Sequence, residues 1–284
     1  MKIGIVDVGG GMRGIYAAGL FDYCLDHKIN FDLCIGVSAG SANLASFLAK
    51  QRGRNYKFYT EFAFRKEYMS LENFIQKHNY VDLDYVYDDL SAPDGEYPID
   101  FETLQENPAE FEIVATHAQS GEAVFFNRDD FSLNHYEVFK ASSDIPFVCK
   151  PYLVKGEEYF DGGVAAPIPY KRAFELGCDY VIVILSRPID YVRNNRRDSI
   201  IARLISKQYP AIAETLIKRA KNYNENVVEL KKLQADGKVF VISPDDTCGI
   251  DTLAKDKEDL KRLYGKGYFD GEKISQYLKK IKAL

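Results

Sequence analysis

The chain has 284 residues, 46% of them hydrophobic and 28% charged, with a net charge of −5. That is the composition of a globular protein with enough apolar material for one large domain or two small ones. The acidic balance leaves no electrostatic footprint for nucleic acid, and no apolar run approaches the roughly 20 residues that span a bilayer.

Residues 2–7 form a strand pattern with no sign of a secretory leader. A glycine loop, Asp7-Val8-Gly9-Gly10-Gly11-Met12-Arg13-Gly14, follows it and opens a helical pattern over residues 14–27. A second strand pattern over residues 31–35 runs into Gly36-Val37-Ser38-Ala39-Gly40 and a small-residue helix over 39–51. This alternation predicts parallel β–α–β construction. Residues 52 to about 110 lose it. Aromatic and basic residues interleave over 54–68, and residues 81–112 then carry eleven Asp or Glu and no Lys or Arg. The expectation is an irregular helical cap with an acidic outer loop.

Strand patterns return at residues 111–116, 124–126, 152–161 and 180–185, the third as a hairpin turning at Lys155-Gly156. Helical patterns over 135–142 and 170–177 lie between them. Residues 198–234 read as helix, 238–242 as a further strand, and 256–284 as helix with a break at Gly265-Lys266-Gly267. There is no internal repeat and no low-complexity linker. The fold class expected is α/β, a single three-layer domain over residues 1–284 with a mostly parallel central sheet. Its core would cover about 2–186, with C-terminal helices from about 190 packed on it. Five cysteines, Cys24, Cys34, Cys149, Cys178 and Cys248, show no Cys-x-x-Cys spacing, so reduced thiols in a cytosolic protein and no metal site are expected.

Ser38 carries the most chemistry. A strand, a Gly-x-Ser-x-Gly and a helix in succession make a nucleophile elbow. The strand delivers the serine, Gly36 and Gly40 relieve a tight turn, and the helix N–H groups face what the serine attacks. The glycine loop admits two functions. It matches the Gly-x-Gly-x-x-Gly of a dinucleotide-binding turn, and its bare N–H groups also suit an oxyanion hole. The neighbouring elbow favours the second, since a dinucleotide site has no use for it.

Serine needs a base. The four histidines are His27, His78, His117 and His135, and none lies in the last 149 residues, which excludes a late catalytic histidine. His27, His78 and His135 read as surface or capping residues, and His117, ending a strand, as a residue that could line the cleft. Asp161 is the better base: it ends a strand, and Gly162 and Gly163 let the chain turn its carboxylate toward a neighbour. Asp94-Gly95 and Asp270-Gly271 read as plain turns, with Asp270 at a helix start.

Glycine loop, elbow and Asp-Gly-Gly in this order resemble the patatin-like phospholipase family, in particular its short bacterial members, which residues 111–116, 141–146 and 159–170 also resemble. The resemblance implies Ser38 as nucleophile and Asp161 as base of a dyad, Gly9, Gly10, Gly11 and Met12 as the oxyanion loop, and Arg13 before Gly14 as a brace. It implies hydrolysis of acyl esters of glycerolipids with no cofactor. Val8 and His117 depart from the family pattern. An acyltransferase using the same acyl-serine and a non-enzymatic lipid-binding protein are the alternatives. The protein is expected to be cytoplasmic, and a lipid substrate further implies transient contact at a membrane surface. Aromatic and basic residues from Tyr56 to Arg65 could anchor there or pack the cap. The stripe Ile201, Leu204, Ile205, Ile212, Leu216 and Ile217, with the cations of residues 193–203, could dock on anionic lipid or face the core.

Overall fold

The computed structural model describes residues 1–77, 79–253 and 255–283. The sheet is built on β1 (Ile3–Asp7), whose five residues are all buried. It pairs in parallel with β2 (Leu33–Val37) on one side and β7 (Tyr180–Ile184) on the other. β3 (Glu110–His117) extends the parallel ladder beyond β2, and β8 (Val239–Ile242) extends it beyond β7. Three short strands, β4 (Ala123–Phe126), β5 (Tyr152–Val154) and β6 (Glu157–Asp161), join antiparallel, β4 and β6 on β3 and β5 on β6. The order is β5-β6-β3-β2-β1-β7-β8, with β4 off that path.

Strand alternation splits the core into two layers. Ile182 and Ile184 of β7 face one cluster with α1 (Ile15–Asp26) and α2 (Ala39–Leu48), while Val181 and Val183 face another with Tyr223, Val227 and Leu230. Both faces are covered, which is why the parallel strands read as unbroken apolar runs. The cap holds α3 (Arg54–Thr60), α4 (Leu71–Lys77), a π-helical turn at Tyr85–Leu90 and α5 (Phe101–Glu106). Phe58, Tyr59 and Phe62 are buried in it, and Arg54 lies over the Phe58 ring at 4.6 Å, so this aromatic stretch packs the cap. Lys140 draws in the acidic loop through Asp84 and Asp88 at 2.7 and 2.5 Å. α6 (Glu137–Ser143) and α7 (Tyr170–Glu175) complete the first two-thirds of the chain.

The C-terminal region differs from expectation twice. Residues 198–234 are not one helix but two, α8 (Arg196–Ile205) and α9 (Pro210–Ala235). Pro210 cannot donate to a preceding turn, so it starts a new helix. Conversely α10 (Lys257–Lys282) runs straight through residues 265–267. Gly267 is there for close approach: a Cβ on it would fall 2.9 Å from the Tyr16 carbonyl carbon of α1. Asp270, expected at a helix start, is mid-helix and accepts from the Tyr16 hydroxyl at 2.7 Å. Tyr264 and Tyr268 reach back to Asp22 and Asp26 at 2.7 and 2.8 Å, so α10 is bolted along α1. The apolar stripe is divided: Ile212 and Leu216 are buried, while Leu204 and Ile217 are exposed. No helix among the described residues is long and apolar enough to cross a membrane.

Candidate active site

β2 ends at Val37 and α2 begins at Ala39, leaving Ser38 to make the whole turn at φ 56°, ψ −131°. A non-glycine residue there is strained by about 1–3 kcal/mol and persists only where its surroundings over-determine it. They do. The Ser38 N–H donates to Ser142 Oγ at 2.9 Å, and its carbonyl accepts from the Ser41 N–H at 2.9 Å and Ser41 Oγ at 2.7 Å. Gly36 lies against Ser41, and Gly40 against Asp7.

The glycine loop crosses the start of α2. Gly9, Gly10 and Gly11 all take positive φ, at 65°, 116° and 59°, which no other residue adopts three times running without strain. A Cβ on Gly9 would also fall 2.9 Å from the Gly40 nitrogen. Asp7, buried at the end of β1, ties the loop to the helix. It accepts from the Gly9 N–H at 2.9 Å and from Asn43 Nδ2 of α2 at 3.0 Å, and Asn43 also donates to the Gly14 carbonyl at 3.0 Å. Burial pushes the Asp7 carboxyl up to about 6.

Not every N–H of the loop is free. That of Gly9 is taken by Asp7, and that of Met12 donates to the Thr252 carbonyl at 2.9 Å. This narrows the expectation of four donors to Gly10 and Gly11, both of which line a cavity with Ser38. Arg13 lines the same cavity and donates to Asp251 at 2.8 Å and to Thr252 Oγ1 at 3.0 Å.

Asp161 closes β6 beside Ala115 of β3. Its carbonyl accepts from Thr116 Oγ1 at 2.8 Å, and its N–H donates to the Asp144 carbonyl at 2.8 Å. The carboxylate accepts from the Gly163 N–H at 2.7 Å and lines the same cavity as Ser38. Gly162 packs against the Val114 backbone. Burial raises the Asp161 pKa, while the Arg219 cation, the nearby Ser38 hydroxyl, the Gly163 N–H and Arg193 pull it back. The buried Asp144 carboxyl is pushed well above the usual carboxylate range by burial and by the Asp161 charge.

Two cavities meet at Ser38. One, of about 100 Å³, runs under the cap and is lined by apolar groups such as Met12, Phe58, Met69, Leu83 and Val86. The other, of about 640 Å³, holds Asp161 and opens toward the C-terminal region. Ser38, Gly11, Ile145, Thr252 and Leu253 belong to both.

None of the described histidines lines either cavity. His27 ends α1 and stacks on Tyr23 at 3.9 Å. His135 is exposed beside Glu137, and His117 sits at the end of β3, 3.1 Å from Ser120 Oγ and 3.4 Å from Glu157. His78 lies outside the described residues. Sequence reasoning missed Asp7, Asn43, Ser142, Thr252 and Arg219. Asp7 alone had a local signal, a carboxylate at the buried end of an apolar strand, where the glycine loop begins.

The model of the family described as "Patatin-like phospholipase" matches residues 8–174, and that of a "Domain of unknown function (DUF6363)" matches residues 209–282. The chain is 30% identical over 200 residues to the uncharacterized protein YjjU of Escherichia coli K12. That match covers 66% of this chain and 52% of YjjU, so the chain spans about half the length of this relative. A crystal structure of VipD from Legionella pneumophila aligns with 98% of this chain and 67% of that one, at 15% identity and a TM-score of 0.47.

Proposed function

The chain belongs to the patatin-like phospholipase family, and from that premise we propose that it is a serine lipid acyl hydrolase working through an acyl-serine. One observation carries the reading: a serine held at a strained elbow in the same cavity as a buried carboxylate, Asp161, which the Gly163 N–H holds in place.

Ser38 Oγ attacks the ester carbonyl as Asp161 takes its proton. The oxygen that becomes negative is met by the Gly10 and Gly11 N–H groups. Asp161 returns the proton to the departing alcohol, and the acyl group stays on Ser38. Water, deprotonated by the same aspartate, then releases the fatty acid. The acyl chain occupies the apolar cavity under the cap, and a lipid substrate implies transient contact with a membrane surface. In this reading residues 1–284 work as one unit, because Thr252 and Arg219 act on the glycine loop and on Asp161.

A fluorophosphonate probe tests it directly. Stoichiometric labelling of Ser38, absent in Ser38→Ala, is the expected result; a folded protein that takes up no label would refute the activated serine. The pH profile gives a second test. The base must be ionised, so the rate falls as pH drops through the Asp161 pKa. Arg219 holds that pKa down. In Arg219→Gln the pKa rises and the acidic limb of kcat/KM moves to higher pH. A limb that stays in place, or moves to lower pH, would separate Arg219 from the base.

A further inference from the structure

The larger cavity is cationic in a chain that is acidic overall. Arg13, Arg187, Arg193, Arg197 and Arg219 line it, with Asp161, Asp198 and Asp251 as its carboxylates. Asp251 serves three of the guanidiniums, Arg13 and Arg187 at 2.8 Å and Arg197 at 3.2 Å. Asp198 serves two, Arg193 at 3.0 Å and Arg219 at 3.6 Å. Three carboxylates facing five guanidiniums leave an excess of two positive charges.

The guanidiniums are also under-bonded. Among the described residues the Nε groups of Arg13 and Arg219 are buried with no acceptor, so these guanidiniums are not fully neutralised by the carboxylates around them. Burial, and after it the nearby Arg187 cation, lower the Arg13 pKa to about 10. Tyr191 supports Arg187 from below, with its ring 4.5 Å from the guanidinium carbon. Four of the five arginines lie beyond residue 174, outside the segment that matches the phospholipase family.

We propose that this cavity is a subsite for a phosphate monoester on the substrate's alcohol side, supplied by Arg187, Arg193, Arg197 and Arg219. The inference rests on the acyl-hydrolase reading for its catalytic meaning. Guanidinium forks match phosphate oxygens two at a time. A phosphate monoester carries about −1.5 to −2 charges near pH 7, which balances the excess. The cavity shares Ser38 with the apolar pocket, so an ester whose acyl chain lies under the cap would direct its alcohol portion here.

The test compares 1-acylglycerol 3-phosphate with the uncharged 1-acylglycerol of the same chain length. Wild-type protein is expected to favour the phosphate-bearing ester. In Arg187→Gln/Arg197→Gln the ratio of the two kcat/KM values should fall about tenfold or more, the loss of at least one charge-assisted hydrogen bond. An unchanged ratio overturns the proposal. Single Arg197→Gln, altering a side chain that is 83% exposed, serves should the double variant not fold.

A second arm is independent of turnover. Calorimetric titration of Ser38→Ala protein with glycerol 3-phosphate and with inorganic phosphate should show binding that the arginine substitutions abolish. Binding of neither probe overturns the subsite. Binding of both with an unchanged substrate ratio identifies a free-anion site and overturns the head-group assignment. Binding of glycerol 3-phosphate that needs the arginines, in a protein that cleaves no ester, upholds the subsite and sinks the hydrolase reading alone.

Discussion

Ser38→Ala and Asp161→Asn are each expected to lower hydrolysis of a short-chain ester by about 10⁴-fold or more, the range seen when a unit of nucleophile and base is broken. The two groups share one proton, so their effects should not add: the double variant should be no slower than the worse single one. Initial rates on p-nitrophenyl butyrate measure this, with circular dichroism confirming the fold. Ser38→Ala leaves the backbone contacts to Ser142 and Ser41 intact except for loss of the hydroxyl. Asp161→Asn keeps the shape and the acceptor for Gly163 but removes the capacity to take a proton. Residual activity within tenfold of wild type in either variant would exclude the dyad.

Asp7→Ala is expected to cost about 10²-fold in kcat with a far smaller effect on KM. Asp7 touches no substrate. It holds Gly9 and, through Asn43, the start of α2 and the Gly14 carbonyl in one arrangement. Without it the oxyanion donors drift relative to the serine, and misplacement by about 1 Å can cost that much. Losing one donor outright costs a comparable 10²–10³. A melting curve separates this from global unfolding, and fluorophosphonate labelling should continue at a reduced rate because Ser38 and Asp161 remain. A rise in KM with kcat unchanged would show that Asp7 serves ground-state and transition-state binding equally and does not position the oxyanion donors.

What could be read in the sequence was what is local. β1, the glycine loop, β2, the elbow and α2 follow one another within about fifty residues, and each has its own signal in periodicity or turn chemistry. The mostly parallel sheet and the hairpin at Lys155-Gly156 came from the same kind of pattern. What failed depended on partners far along the chain. Gly267 looks like a helix breaker until Tyr16 is found against it. The Met12 N–H looks available until Thr252, 240 residues later, accepts it. Arg219 carries no local mark at all, since its importance lies in where α9 crosses Asp161. The error at Pro210 was of another kind: the signal was present and the apolar stripe outweighed it.

The backbone of Ser38 carries one more consequence. Its left-handed turn means that the chain surrenders stability at the residue on which its chemistry depends. Alanine and glycine at this position both lack the hydroxyl, yet only glycine is at ease at φ 56°. Ser38→Gly should therefore melt a few degrees above Ser38→Ala, since about 1 kcal/mol corresponds to roughly 2–4 °C in a chain of this size class. Equal melting temperatures would mean that the elbow is not strained. A higher one for Ser38→Gly would measure what this fold forgoes to keep a nucleophile exposed to its substrate.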